Sequence, residues 1–112
     1  MTLPKTTTVA GVKIKIVERD LSDDECFGYW NHDKLTIFIG KGLKPKVAKQ
    51  TLCHEMIHAA LDLSGISFAK DFPDEPVVRA VETLFLPSWE RMKARLEKPT
   101  DASSCLKNPN SQ

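Results

Sequence analysis

The chain has 112 residues, of which 41% are hydrophobic and 28% charged, with a formal net charge of +1. That length fits one domain around one modest core, and that composition excludes wholesale disorder and collagen-like repeats. A charge so near neutrality excludes a broad electrostatic footprint for nucleic acid, and the two basic runs (Lys41, Lys44, Lys46, Lys49 and Arg91, Lys93, Arg95, Lys98) read as solvated faces.

The opening stretch, MTLPKTTTVAG, lacks the apolar run of a signal peptide. No later stretch approaches the roughly 20 apolar residues that span a bilayer. A cytoplasmic protein is the expectation, and the cysteines agree with it. Cys26, Cys53 and Cys105 are odd in number and form no C-x-x-C pair, so they read as reduced thiols.

In GVKIKIVERD, Val12, Ile14 and Ile16 alternate with Lys13 and Lys15, the period of a strand with one buried face. After a turn-rich DLSDDE, two β-rich runs at 26–30 and 35–39 flank NHDK and predict a hairpin. The segment KPKVAKQTLCHEMIHAALDLSG predicts a long helix with Pro45 near its start and Gly65 at its left-handed terminator. ISFAKDFPDE reads as a loop. A second helix is expected from Pro76, stopping or kinking at Pro87, with Ser88 capping a third helical piece up to Pro99. Residues 1–98 form a single domain in this reading, and the polar tail 99–112 is expected to be disordered. The fold class is α+β: a small antiparallel sheet packed against a central helix and a second, proline-interrupted one.

On a helical wheel over 47–63, Ala48, Leu52, Met56, Ala59, Ala60 and Leu63 form one apolar arc. His54 and His58 lie one turn apart, nearly opposite its centre. Val47, Leu61 and Ile57 flank them, so the histidine face is not an ordinary solvated surface. Covering two imidazoles and a carboxylate costs several kcal/mol unless partners satisfy them. A divalent metal is such a partner: residues at i and i+4 stand about 6 Å apart, and two imidazole nitrogens can converge on one ion at about 2.1 Å. Glu55 projects a quarter-turn aside, where it can reach a metal-bound water without being a ligand. His54, Glu55, Met56, Ile57 and His58 together spell H-E-x-x-H, the zincin signature. Cys53 reads as a packed thiol.

A catalytic zinc needs a third protein ligand. His32 lies in the hairpin turn. Among Asp62, Asp71, Asp74, Glu75 and Glu82, Asp62 suits holding an imidazole N–H. Glu75 and Glu82 share one face of the second helix, with Arg79 between them. Either can face the histidines; Glu75 follows a loop able to return across the first helix, whereas Glu82 has Arg79 and Arg91 as competing partners.

The helix TLCHEMIHAALD after a small sheet, followed by DEPVVRAVETLFLP, resembles over residues 11–90 the minimal gluzincins, short zinc metallopeptidases of the ImmA/IrrE and SprT-like type that include small phage-encoded members. That resemblance implies a zincin-like fold, Zn2+ as cofactor, peptide hydrolysis, and Glu75 as the third ligand beside His54 and His58. Glu55 is then the general base, taking a proton from water and returning it to the leaving amine. The run LTIFI at 35–39 is expected to be an edge strand that pairs with an extended substrate. Tyr29, His32 and Arg79 are the candidate oxyanion partners. The expected partner is a protein or peptide substrate met by a monomer, with neither nucleic acid nor membrane. Two competing readings are a non-catalytic zinc-binding regulatory or host-interaction module on the same fold, and a metal-free interaction domain.

Overall fold

The computed structural model describes residues 3–97. The expected disordered tail, with Cys105, lies outside them. Four strands come first: β1 (Thr6–Val9), β2 (Val12–Arg19), β3 (Gly28–Asn31) and β4 (Thr36–Gly40). They are followed by α1 (Pro45–Leu63), a 3-10 turn at Ile66–Phe68, α2 (Asp74–Arg79), a π-helical stretch at Ala80–Phe85, and α3 (Leu86–Glu97). The α+β class expected from the sequence is therefore present.

β1 pairs antiparallel with β2 through a two-residue connection, with Val9 opposite Val12. Ala10 and Gly11 both take positive φ, 52° and 77°, the geometry of a tight hairpin turn whose twist matches that of its strands. Alanine rarely adopts this conformation, so the sequence signals the turn weakly.

The sheet is mixed, not antiparallel as expected. Its order is β1-β2-β4-β3, with β4 parallel to β2 and antiparallel to β3. The cause lies in β4 itself, which is buried along its whole length. Ile37 and Ile39 are fully buried in the main core. On the opposite face Phe38 is covered by the stacked ring of Tyr29, at 4.9 Å between centroids, and by the Arg19 guanidinium at 4.6 Å. A strand covered on both faces belongs inside a sheet. The expectation that LTIFI forms an edge is thus corrected: β1 and β3 are the edges.

The core lies between the sheet and α1. Ile14, Ile16, Ile37 and Ile39 meet Ala48 and Ala59, with Leu52, Met56, Ala60 and Leu63 packed around them, so the apolar arc read from the sequence is the sheet-facing side of α1. Each buried isoleucine contributes about 1.5–3 kcal/mol by leaving water. Gly28 lets β3 close onto the helix: a Cβ there would stand 2.6 Å from the Phe38 carbonyl oxygen and 2.8 Å from Thr51 Cγ2. α1 ends where Gly65 turns left-handed at φ 85°, as its sequence predicts.

The second helix begins at Asp74, not Pro76, and Pro87 does not stop it. Helical backbone runs on to Glu97 through the π-helical stretch, where the Leu86 N–H donates to the Val81 carbonyl five residues back. A proline has no N–H to give and its ring crowds the carbonyl four residues earlier. Widening the preceding turns relieves that conflict without ending the helix. Ser88 does not cap a new helix; its hydroxyl donates to the Leu84 carbonyl.

Candidate metal centre

α2 and the π-helical stretch pack on α1, and this brings carboxylates over the histidine face. The two helices converge on the H-E-x-x-H turn from opposite ends of a seven-residue interval. Glu75 comes from the first turn of α2, while Glu82 comes from the π-helical stretch. Both act on the histidines, in different ways.

The His54 Nδ1–H donates to Glu82 Oε1 at 2.8 Å. Asp74 Oδ2 stands 2.8 Å from His58 Nδ1. Each imidazole thus has a carboxylate of its own at Nδ1, hydrogen-bonded at His54 and within ion-pair distance at His58, with Nε2 on the side of Glu75. Both Nε2 atoms then face the same group. Glu75 Oε2 lies 2.9 Å from His58 Nε2, and Glu75 Oε1 lies 3.9 Å from His54 Nε2. The two rings stand 4.9 Å apart between centroids.

His54, His58 and Glu75 could hold a metal ion, with one donor atom from each within 4.8 Å of the others. Tetrahedral ligands at about 2.1 Å from one ion stand roughly 3.4 Å from each other, a separation that the two Glu75 distances bracket. Nitrogen, nitrogen and carboxylate oxygen are a donor set suited to such an ion, so the residues present fit it. Glu82 does not join the set: it holds His54 from behind, a role that its competing pairing with Arg79 or Arg91 did not suggest. Asp74, considered only as one acidic residue among several, takes the matching position behind His58.

Glu55 is 9% exposed, beside the histidines on α1. Burial raises its pKa, with Glu75 and Glu82 pushing the same way and His58 and His54 opposing. A carboxylate tuned upward is better matched to taking a proton near neutrality. For His54, burial opposes the charged form. The Glu82 hydrogen bond and the charges of Glu82, Glu55 and Glu75 outweigh it, and its pKa rises. Cys53 is shifted upward by burial and then by Glu82 and Glu90, which keeps it a thiol. It faces the groove beside Thr83 and Leu86, not the sheet-side core.

Asp62 does hold an imidazole, but not one of this pair. Its Oδ2 lies 2.7 Å from His32 Nδ1 and accepts the Trp30 Nε1–H at 2.7 Å. This ties the end of β3 to the last turn of α1. Tyr29 is removed from the oxyanion candidates: it stacks on Phe38, on the sheet face away from α1, and its hydroxyl accepts from Arg19. Arg79 is exposed on α2. A cleft of about 360 Å³ opens beside His54, lined by Phe27, Val47, Gln50, Thr51 and Glu82. Comparison with protein families, characterised proteins and solved structures finds no match for the chain.

Proposed function

We propose that the protein is a zinc-dependent metallopeptidase in which His54, His58 and Glu75 hold the ion and Glu55 is the general base. The observation that carries this reading is the double restraint on the histidines. Glu82 is hydrogen-bonded to His54 Nδ1, Asp74 lies 2.8 Å from His58 Nδ1, and both Nε2 atoms stand within 4 Å of the Glu75 carboxylate. Two surface histidines that merely hydrogen-bond have no need of that arrangement. When bound, zinc would acidify a coordinated water and polarise the scissile carbonyl.

The chain's own residues supply the rest. Glu55, poised upward in pKa by burial, accepts a proton from the attacking water and returns it to the leaving amine nitrogen. Glu82 and Asp74 orient the imidazoles so that each Nε2 is directed toward Glu75. β3 is a free edge of the sheet, and it runs along α1 from Thr51, which Gly28 meets, to Asp62, which Trp30 meets. An extended peptide can add to that edge, so β3 takes the role first assigned to β4. His32, held in place by Asp62, and Arg79 remain the candidates for contacting the carbonyl oxygen.

One observation favours a second reading, a zinc-binding module without turnover. Tyr29 is on the wrong sheet face to stabilise an oxyanion, and His32 is committed at one nitrogen to Asp62. Zinc analysis beside hydrolysis of an unfolded protein such as casein separates the readings. A metallopeptidase retains about one zinc per chain, loses it in His54→Ala, and loses hydrolysis but not zinc in Glu55→Gln. Zinc without any hydrolysis selects the binding module. Equal, near-zero zinc in wild type and His54→Ala removes both.

A further inference from the structure

The cleft beside His54 does not end there. It shares Gln50 and Glu82 with a larger groove, about 660 Å³, that runs between α1 and the helix turn around Pro87. Leu86 and Pro87 give it apolar lining, Thr83 and Cys53 line it beside them, and exposed Glu90 adds a carboxylate. Nothing in the H-E-x-x-H motif requires this extension. It arises because Pro87 sits inside a continuing helix, beside the widened turns that carry Glu82 toward His54.

The charge of the groove has one sign. Glu82 and Glu90 are its only ionised lining groups, and no lysine or arginine lines it among the described residues. Lys93 reaches Glu90 only from one turn along α3, at 3.5 Å in an exposed pair that a competing cation can displace. Behind Glu82 stand Glu55, Glu75 and Asp74, so four carboxylates surround the ligand pair, and one divalent ion leaves them in excess. Apolar lining groups beside carboxylates suit a side chain with a long hydrocarbon stem and a positive head. They repel an acidic one.

We propose that this groove docks a basic polypeptide segment, with lysine or arginine stems against Leu86 and Pro87 and a charged head at Glu90. The proposal deepens the peptidase reading and rests on it for the direction in which the chain leaves the site. The substrate class becomes a polypeptide with cationic residues on the side of the scissile bond that crosses Gln50, not a dipeptide and not an acidic chain. Docking itself requires no turnover.

The test titrates isotope-labelled Glu55→Gln protein, with and without added zinc, with a synthetic peptide alternating leucine and lysine. A second titration uses the same peptide with glutamate in place of lysine. The lysine peptide is expected to shift the amide resonances of Gln50, Thr83, Leu86 and Glu90, and the glutamate peptide to leave them unmoved. Glu90→Lys, an exposed substitution, is expected to weaken binding about threefold to tenfold with unchanged melting temperature and zinc content. Equal shifts from both peptides, shifts confined to other surfaces, or unchanged affinity in Glu90→Lys would each overturn the proposal. If zinc binding fails while the lysine peptide still docks, the peptidase reading falls and this one stands.

Discussion

Helix α1 carries two histidine–carboxylate arrangements with opposite logic. In its middle, His54 Nδ1 is hydrogen-bonded to Glu82, His58 Nδ1 lies 2.8 Å from Asp74, and the outer nitrogens of both face a common carboxylate, Glu75. At its end, Asp62 holds His32 through Nδ1 and takes the Trp30 indole N–H as well. Distances to the nearest carboxylate are almost the same in both places, 2.7 and 2.8 Å. A short contact to a carboxylate therefore does not distinguish a metal centre from a structural tie. What distinguishes them is the direction of the nitrogens left over, convergent in one case and solitary in the other.

The largest expected effect breaks that contrast at its ligands. His58→Ala should lower zinc affinity by more than about 100-fold, beyond the roughly 10–100-fold that supporting residues contribute. His32→Ala should leave zinc stoichiometry unchanged; loss of zinc in both variants would erase the distinction. A smaller effect is expected one shell out. Glu82→Ala and Asp74→Ala should each weaken zinc binding about 10–100-fold while leaving the fold intact. Asp62→Ala should do the reverse, keeping zinc and costing about 1–3 kcal/mol of stability because the half-buried Trp30 N–H loses its acceptor. Competition with a fluorescent zinc chelator, beside urea unfolding, reads both quantities.

Much of this was legible in the residues. The spacing of His54 and His58 and the apolar arc of α1 follow from helical periodicity, which holds wherever a helix forms. Glu75 was legible as a candidate, since the first turn of the next helix is a short return from α1. The roles of Asp74 and Glu82 were not, because they depend on how two helices cross. Glu82 reaches His54 from turns widened to i−5 bonding, a geometry that a regular wheel does not contain. The place of β4 was misjudged for a different reason. LTIFI alternates less than a half-exposed strand should, and that nearly continuous apolar run was the available sign of an interior strand. Neither the positive φ of Ala10 nor the pairing of β1 had a comparable signal.

Gly28 sharpens the comparison from the strand side, because β3 packs on α1 at Thr51 and, through Trp30, at Asp62. In Gly28→Ala the new Cβ meets a backbone carbonyl at 2.6 Å, and backbone gives way less readily than a side chain. The strand must shift from α1, with a cost of about 1–3 kcal/mol in thermal unfolding. Because Gly28 abuts Thr51 and the Asp62 tie lies at the far end of β3, zinc affinity should change less than stability. Greater loss of zinc than of stability would mean that β3 positions the ligands directly.

The smallest effect concerns pH, and it reads the charge state of the His54 arrangement. In chelator-treated protein, His54 has a folded pKa above its unfolded value of 6.5, because the Glu82 bond and neighbouring carboxylates outweigh burial. A raised pKa contributes stability that is fully present below 6.5 and is lost as pH rises through the folded value. Glu55 acts in the same direction from lower pH: its folded pKa lies above the unfolded 4.5, so ionising it on the way to neutrality also costs stability. The urea midpoint of metal-free protein should therefore fall from about pH 6 to about pH 8. Saturating zinc should reverse the slope, since the ion binds the deprotonated imidazoles and its binding releases protons. His54→Ala should flatten the metal-free slope. A metal-free midpoint that rises with pH would show that the carboxylates around α1 do not hold His54 charged.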